Sequence, residues 1–181
     1  MDQILPILDE QVAVKFTGRI NILDKDSKQF FGTFILVDGE FVEASYKKMV
    51  GLKAFFSLYL DEFENVPIIY ITEPEIISSF KQNIPYPYQI LKQKLSSTVE
   101  KYAVSRSNKP PLNLKIMLNP EFVSTGEELN SNEFKVMGTI SDFNLVKDIY
   151  QNSPLLDFEI TTALVTLRKK GALKVIKQVK G

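Results

Sequence analysis

Two carboxylate clusters are the parts of this sequence that come closest to a chemical motif. In "DKDSKQF", Asp24 and Asp26 alternate as the first oxygen ligands of a calcium-binding loop do. Lys28, however, stands where a third oxygen ligand is required, and the loop glycine and the final glutamate are missing. This run therefore predicts a hairpin turn rather than a calcium site.

The second cluster is Asp61, Glu62 and Glu64 in "LDEFEN", directly after an apolar helical pattern. Such a group of carboxylates could hold magnesium. Neither a lysine nor a phosphate-binding glycine loop accompanies it in the sequence. An acidic run at an exposed turn is therefore the expected structure.

The residue types that are missing limit the chemistry further. The chain has no Cys, no His and no Trp, which excludes cysteine nucleophiles, disulfides, and zinc sites built from thiolates or imidazoles. Catalytic triads that need histidine are excluded too. No glycine-rich nucleotide-binding motif and no G-x-S-x-G motif occurs. We expect a protein that is not an enzyme and that uses no cofactor and no metal.

Basic residues near the C-terminus raise the question of nucleic-acid binding. They lie at the end of the third helical pattern of the C-terminal part and just after it. These residues are Arg168, Lys169, Lys170, Lys174, Lys177 and Lys180. They could contact phosphates, but cations also commonly end helices because they favour the carbonyl end of the helix dipole. At its start this helix carries Asp157 and Glu159, where a groove-reading helix presents basic or amide side chains. DNA binding is therefore the second interpretation.

The first interpretation is a protein-binding surface on the same helix. The core face of the helix is predicted to consist of Ile160, Ala163, Leu164 and Leu167. Phe158 and Val165 fall off that face, close to threonines such as Thr162. Exposed apolar side chains in such a setting suit a protein partner better than a nucleic acid.

An α+β fold is expected to position these side chains. Three apolar runs alternate as strands do, and they are Val12–Leu23, "FFGTFILV" and "EFVEAS". The Asp-Gly dipeptide at 38 and 39 supplies the positive backbone angles of a tight hairpin, in which Ile35 is expected opposite Val42. The pattern predicts an antiparallel β-meander with apolar side chains on both surfaces.

Helical patterns follow the meander. After Gly51, a helix should pack on the sheet through Leu52, Phe55, Phe56 and Tyr59. Val66–Thr72 predicts an edge strand because Pro67 lies near its start. Tyr88–Val104 predicts an amphipathic helix, and "SRSNKPP" then breaks the pattern.

That break is the expected boundary between an α+β domain at 1–105, which includes the linking helix, and a second domain at 106–181. The second domain is predicted to begin with a strand at 114–118 and a polar loop. Three helices should follow: one opened by a capping box of Asn130 and Glu133, a short one around 145–149, and a third capped by Asp157 and stopped by Gly171. The final element is expected to be a strand, "ALKVI". This order predicts a small winged-helix-like module.

Composition favours an ordinary globular protein. The 181 residues are 44% hydrophobic, and 22 basic residues balance 22 acidic ones, so the net charge gives no general attraction to nucleic acid or to anionic membranes. No stretch reaches the roughly 18 apolar residues of a membrane span, and "MDQILPILDEQ" lacks the features of a signal peptide. We expect a cytoplasmic protein that does not insert into membranes.

Five small residues link these elements to a known family. Gly18, Gly32, Gly39, Ala44 and Gly51 lie in "FTGRINI", in a G-x-F-x-L-x-D-G-x-F-V-x-A hairpin and in "GLKAF". This combination resembles the PATAN domain family. The segments 114–120, 143–155 and 163–173 resemble the helix-turn-helix extension often found behind that domain. The role of these five residues is expected to be structural: they allow tight turns and the close approach of a helix to the sheet.

The resemblance implies a regulatory, non-catalytic bacterial module that acts through protein contacts in signalling or in motility control. The family is commonly fused to receiver domains, and this chain contains no receiver domain. The implied partners are other proteins of such a system. The sequence leaves a homodimer open.

Overall fold

The chain folds into two compact units. The computed structural model describes residues 3–176, and the division into units falls between Met1–Val99 and Glu100–Gly181. Helices combine with an antiparallel sheet, which confirms the α+β class. In the part of the chain described, no helix is both long enough and apolar enough to cross a membrane.

The first unit is built on a five-stranded antiparallel sheet. Its elements are α1 (Ile4–Ala13), β1 (Gly18–Asp24), β2 (Phe30–Val37), β3 (Glu40–Tyr46), β4 (Met49–Val50), α2 (Gly51–Phe63), β5 (Ile68–Pro74) and the start of α3 (Tyr88–Arg106). The strand order is β4-β3-β2-β1-β5. Strands β1 to β3 therefore form the predicted meander, β4 adds a short strand that was not predicted, and β5 is an edge strand beside β1.

The N-terminal end of the meander differs from the prediction. Val12 belongs to α1, and β1 begins only at Gly18, so the predicted strand over Val12–Leu23 is wrong in its first half. Ile4 and Leu8 are fully buried on one face of α1. The start of this helix is completed by a distant carboxylate, because Oε1 of Glu62 accepts hydrogen bonds from the backbone N–H groups of Gln3 and Ile4 at 3.1 and 3.0 Å.

The hairpin of β2 and β3 has the predicted turn, and its register departs from the prediction only from Ile35 onward. Asp38 and Gly39 both have positive φ, 49° and 79°, as a type I′ turn requires. Ile35, however, lies opposite Glu43 instead of Val42, because the register shifts beside the turn. Val42 is the extra residue of this bulge.

Helix α2 covers one face of the sheet, as its spacing predicts. Phe55 is fully buried and lies 5.7 Å from the ring of Phe41 and 6.1 Å from that of Phe34. Burial of one such ring stabilises the fold by about 2–3 kcal/mol. Tilted packing of the rings adds to this value.

The second unit consists of short helices and a small sheet. Its described elements after α3 are β6 (Ile116–Leu118), α4 (Pro120–Thr125), α5 (Ser131–Asp142), α6 (Val146–Asn152), α7 (Asp157–Lys169) and β7 (Leu173–Val175). Strands β6 and β7 pair in antiparallel fashion. The strand at each end and the three predicted helices are present; the likeness to a winged helix stays a prediction.

Two local features of the second unit were predicted wrongly. Helix α4 lies where the sequence predicts only a polar loop. Asp157 is the first residue of α7 rather than its cap; the cap position is Leu156, whose backbone N–H donates to Oε2 of Glu159 at 3.0 Å. The predicted capping box of Asn130 and Glu133 is confirmed.

Apolar side chains from all these elements form the core of the second unit. The predicted core face of α7 is buried in it. Within the core, the hydroxyl groups of Tyr150 on α6 and Thr161 on α7 are hydrogen bonded at 2.6 Å. This buried hydrogen bond favours the arrangement in which α6 and α7 meet, because a shift between the two helices would break it.

Candidate protein-docking groove

The surface of the second unit carries an apolar groove between α4 and α5, which we call the α4–α5 groove. Its volume is about 410 Å³. The apolar side chains that line it are Leu118, Phe122, Val123, Leu129, Phe134 and Met137. Phe134 is 70% exposed and Val123 is 57% exposed. Large apolar side chains grouped in an open concave site are characteristic of protein contact surfaces.

Local sequence explains why the groove stays open. Helix α4 is short because Gly126 ends it with φ at 66°, a conformation that glycine adopts without strain. On the facing wall, α5 carries Gly138, and a Cβ there would meet no atom within 4 Å. The missing side chain leaves room between Phe134 and Ser141, which also line the groove.

Helix α5 has two distinct faces, one buried in the core and one along the groove. Val136 and Ile140 face the core and are buried. Phe134, Met137, Gly138 and Ser141 have the spacing i, i+3, i+4, i+7 of a second face, and all four line the groove. This spacing was a signal that could have revealed the groove, but the opposite wall, α4, was missed.

The exposed charges around the groove are predominantly acidic. Residues 119–142 contain five carboxylates and one lysine, Lys135. One carboxylate, Glu133, is buried; the exposed ones are Glu121, Glu127, Glu128 and Asp142. Lys174 lies 3.8 Å from Glu121, with both side chains well exposed. An exposed pair of this kind is weak in water, so the surroundings of the groove remain acidic.

The surface that the sequence predicts on α7 is only partly accessible. Phe158 is only 6% exposed, so the expectation that its side chain is exposed is wrong. Val165 is half-buried, and Thr162 is exposed with its hydroxyl donating to the carbonyl oxygen of Phe158 at 2.8 Å. The structure therefore does not bring these three side chains together as an exposed apolar patch.

The basic residues near the C-terminus have different environments. Arg168 and Lys169 are exposed, whereas Nζ of Lys170 lies 3.0 Å from Oε2 of Glu133 and 2.9 Å from the carbonyl oxygen of Glu128. Lys177 and Lys180 lie outside the described residues. At the other end of α7, Asp157 forms an ion pair with Lys109 at 2.9 Å.

Glu133 anchors the first turn of α5. Burial opposes its ionisation, but hydrogen bonds from the backbone of Asn130 and from Lys170 prevail and hold the pKa of this carboxyl below its usual value. The ionised form both completes the capping box and holds Lys170. Lys170 is therefore primarily engaged within the unit.

Carboxylates of both acidic clusters accept hydrogen bonds from other groups of the first unit. Oδ1 of Asp24 accepts hydrogen bonds from the backbone N–H groups of Asp26 and Ser27 in the turn after β1, and the bonds from Ser27 lower the pKa of Asp24. Asp61 accepts from the hydroxyl of Tyr46 at 2.7 Å and from Lys47 at 2.8 Å. No pattern in the sequence indicates Lys47 as a partner of Asp61.

The remaining acidic residues of the second cluster have separate roles. Glu62 is buried, where it accepts the N–H groups at the start of α1 and the hydroxyl of Tyr70 at 2.6 Å. The exposed acidic turn predicted there is therefore wrong for Glu62. Glu64 is the C-cap residue of α2. Among the residues described, no group of three or more acidic side chains is placed to hold a metal ion.

The five small residues occupy tightly packed backbone positions. A Cβ on Gly32 would overlap the carbonyl oxygen of Ser45 on the neighbouring strand, and one on Gly18 would overlap that of Glu73. Gly39 lies in the hairpin turn, and Ala44 is fully buried. Gly51 starts α2, where a Cβ would be 2.7 Å from the carbonyl oxygen of Asn83. Their role is structural in each case.

Comparison of the α+β chain with models of protein families, with curated proteins and with solved structures found no match.

Proposed function

We propose that this protein is a non-catalytic adaptor that binds another protein through the α4–α5 groove. The observation that carries this proposal is the exposure of Phe134 and Val123 in one concave apolar site. When a partner covers such exposed apolar side chains, apolar surface is removed from water, and this favours binding. The engagement of Asp24, Asp61 and Glu62 in turns, helix ends and ion pairs supports a role without catalysis.

The setting of this adaptor follows from the sequence resemblance. The PATAN-like motifs support a place in a bacterial signalling or motility system, in the cytoplasm, with other proteins as partners. A nucleic-acid role is less well supported, because Lys170 is held by Glu133 and because α7 begins with Asp157 and Glu159. Carboxylates at that end of a helix would repel phosphates.

Site-specific photocross-linking in living cells tests the proposal. A photoreactive phenylalanine analogue replaces Phe134 in one strain and Phe63 in a control strain; Phe63 is 45% exposed and belongs to the first unit. We expect a discrete partner to be cross-linked from position 134 and not from position 63. The purified partner should then bind the purified wild-type chain, and it should bind the Val123→Ser variant more weakly.

Two results would overturn the proposal. One is the same set of cross-linked proteins from both positions, since the groove would then have no specific partner. The other is binding of random duplex DNA that weakens steeply with salt and that is lost in Arg168→Gln and Lys169→Gln. That outcome would make the C-terminal unit a DNA-binding module.

A further inference from the structure

We infer that the partner segment that fills the α4–α5 groove is an amphipathic α-helix with one apolar face and basic flanks. The inference rests on the proposed adaptor function and names the chemistry of its partner. It combines the shape of the groove, the hydrogen bonding of its walls and the charge around it.

The walls of the groove favour a helix over an extended peptide. The principal walls are the helices α4 and α5, and neither presents the row of backbone partners that a strand edge offers to an extended peptide. An extended peptide in this groove would find few backbone partners and would bury its own N–H and C=O groups unsatisfied. A helix satisfies these groups internally, and it presents apolar side chains at i, i+3, i+4 and i+7 to a groove of this kind.

The dimensions of the groove are consistent with two helical turns. Phe134 and Ser141 mark the ends of the lined part of α5 and are seven residues apart. This separation corresponds to about 10 Å along a helix axis. Gly138 lies between them, and because a Cβ there would meet no atom within 4 Å, the groove has room at this point for an apolar side chain of the partner.

The charge around the groove indicates which charged residues should flank the apolar face of the partner helix. Glu127 lines the groove, Glu121 and Glu128 are exposed and directly adjoin lining residues in the chain, and Asp142 follows Ser141 at the far end. Lys135 is the one basic residue in the segment from 119 to 142. Opposite charges across an interface steer association and exclude partners of the wrong sign. Lysine or arginine residues beside the apolar face are therefore expected in the partner.

The test uses the full-length chain and fluorescently labelled synthetic helices of 14 residues. One peptide has leucines at i, i+3, i+4 and i+7 with lysines on its flanks; a second has glutamates in place of the lysines; a third is a scrambled form of the first. We expect fluorescence anisotropy to show at least tenfold tighter binding of the first peptide than of either other peptide. The preference for the lysine peptide over the glutamate peptide should become smaller as the salt concentration rises from 50 to 300 mM.

Variants locate the binding to the groove. Phe134→Ser and Val123→Ser should each weaken binding of the lysine peptide about tenfold or more, since each removes an apolar contact worth on the order of 1.4 kcal/mol. Glu127→Gln with Glu128→Gln should reduce the preference for lysine over glutamate. Phe63→Ser, on the other unit, should leave every affinity unchanged.

The inference is overturned if the three peptides bind equally or if Phe63→Ser weakens binding as much as Phe134→Ser does. It is also overturned if light scattering shows a dimer that Phe134→Ser dissociates, because the groove would then hold a second copy of this chain. Cross-linking of a partner from position 134 without any preference for the lysine peptide would leave the adaptor function standing and reject the basic helix.

Discussion

The side chain of Asn83 pairs with both backbone groups of Ala44. Its Oδ1 accepts the N–H of Ala44 at 2.9 Å, and its Nδ2 donates to the carbonyl oxygen of Ala44 at 3.2 Å. The amide thereby replaces the peptide group of an adjacent strand along β3, where β4 pairs only with Ser45 and Tyr46. A strand edge that would otherwise be open to other chains is covered in this way.

The bulge in β3 takes part in the same arrangement. The carbonyl oxygen of Val42, the extra residue of the bulge, accepts the backbone N–H groups of Asn83 and Ile84 at 3.1 and 3.2 Å. The backbone N–H of Lys81 donates to Glu43 at 2.7 Å. The segment from 81 to 84 is thus held against β3 by hydrogen bonds without being a strand itself.

Asn83→Asp should destabilise the protein at neutral pH. The carboxylate cannot donate, so it would face the carbonyl oxygen of Ala44 as a second acceptor, and we expect a loss of about 1–3 kcal/mol in the free energy of unfolding. Urea unfolding followed by circular dichroism measures this loss. Asn113→Asp, at an exposed turn, is the control, and an equal effect of the two substitutions would contradict the assigned role.

Glu133 should make stability depend on pH in the acid range. Its pKa is lowered in the folded protein, so the unfolded chain binds the proton more readily. The stabilising contribution is present above about pH 4.3, the ordinary value for Glu, and is lost as the pH falls below it. Urea midpoints between pH 3 and 7 should show this acid loss in the wild type, and Glu133→Gln should reduce it.

Lys170→Met tests the ion pair itself. It removes the cation that approaches Glu133 at 3.0 Å, and we expect a loss of about 2 kcal/mol at pH 7. Lys169→Met is the matched control, because Lys169 is the exposed neighbour on the same helix and should change stability by less than about 0.5 kcal/mol. Equal losses in the two variants would mean that the ion pair contributes nothing.

Tyr70 should make the protein sensitive to alkali. Burial first, and then the charge of Glu62, raise the pKa of Tyr70 well above its ordinary value. The folded state therefore keeps the phenol protonated while the unfolded chain releases the proton above about pH 10. Its contribution is complete below that pH and falls by about 1.4 kcal/mol per pH unit above it. Tyr70→Phe should unfold with a shallower dependence between pH 10 and 11.5; an unchanged slope would contradict this.

Two phenylalanines of the second unit should respond in opposite ways. Phe158→Ala removes a buried ring and should lower the free energy of unfolding by about 3–5 kcal/mol. Phe134→Ala removes a ring that is mostly exposed and should change it by less than about 0.5 kcal/mol. Thermal unfolding of both variants measures the contrast. A large loss in Phe134→Ala would show that this ring supports the fold rather than a partner.

The sequence by itself determined the elements whose signals are local. The Asp-Gly turn predicts the hairpin because both residues must take positive φ, and the Asn130–Glu133 spacing predicts the start of α5 because the capping box lies within one turn. The core face of α7 follows likewise from its spacing. The exclusion of cysteine and histidine chemistry required composition alone.

Only the tertiary structure decided features that depend on residues far apart in the chain. Helix α1 is completed by Glu62, 58 positions beyond Ile4, and the β3 edge is covered through Asn83, 39 positions beyond Ala44. Helical spacing shows which side chains share a face, but not whether another element covers it. Phe158 falls off the predicted core face of α7, yet packing buries it, whereas packing leaves Phe134 on α5 exposed.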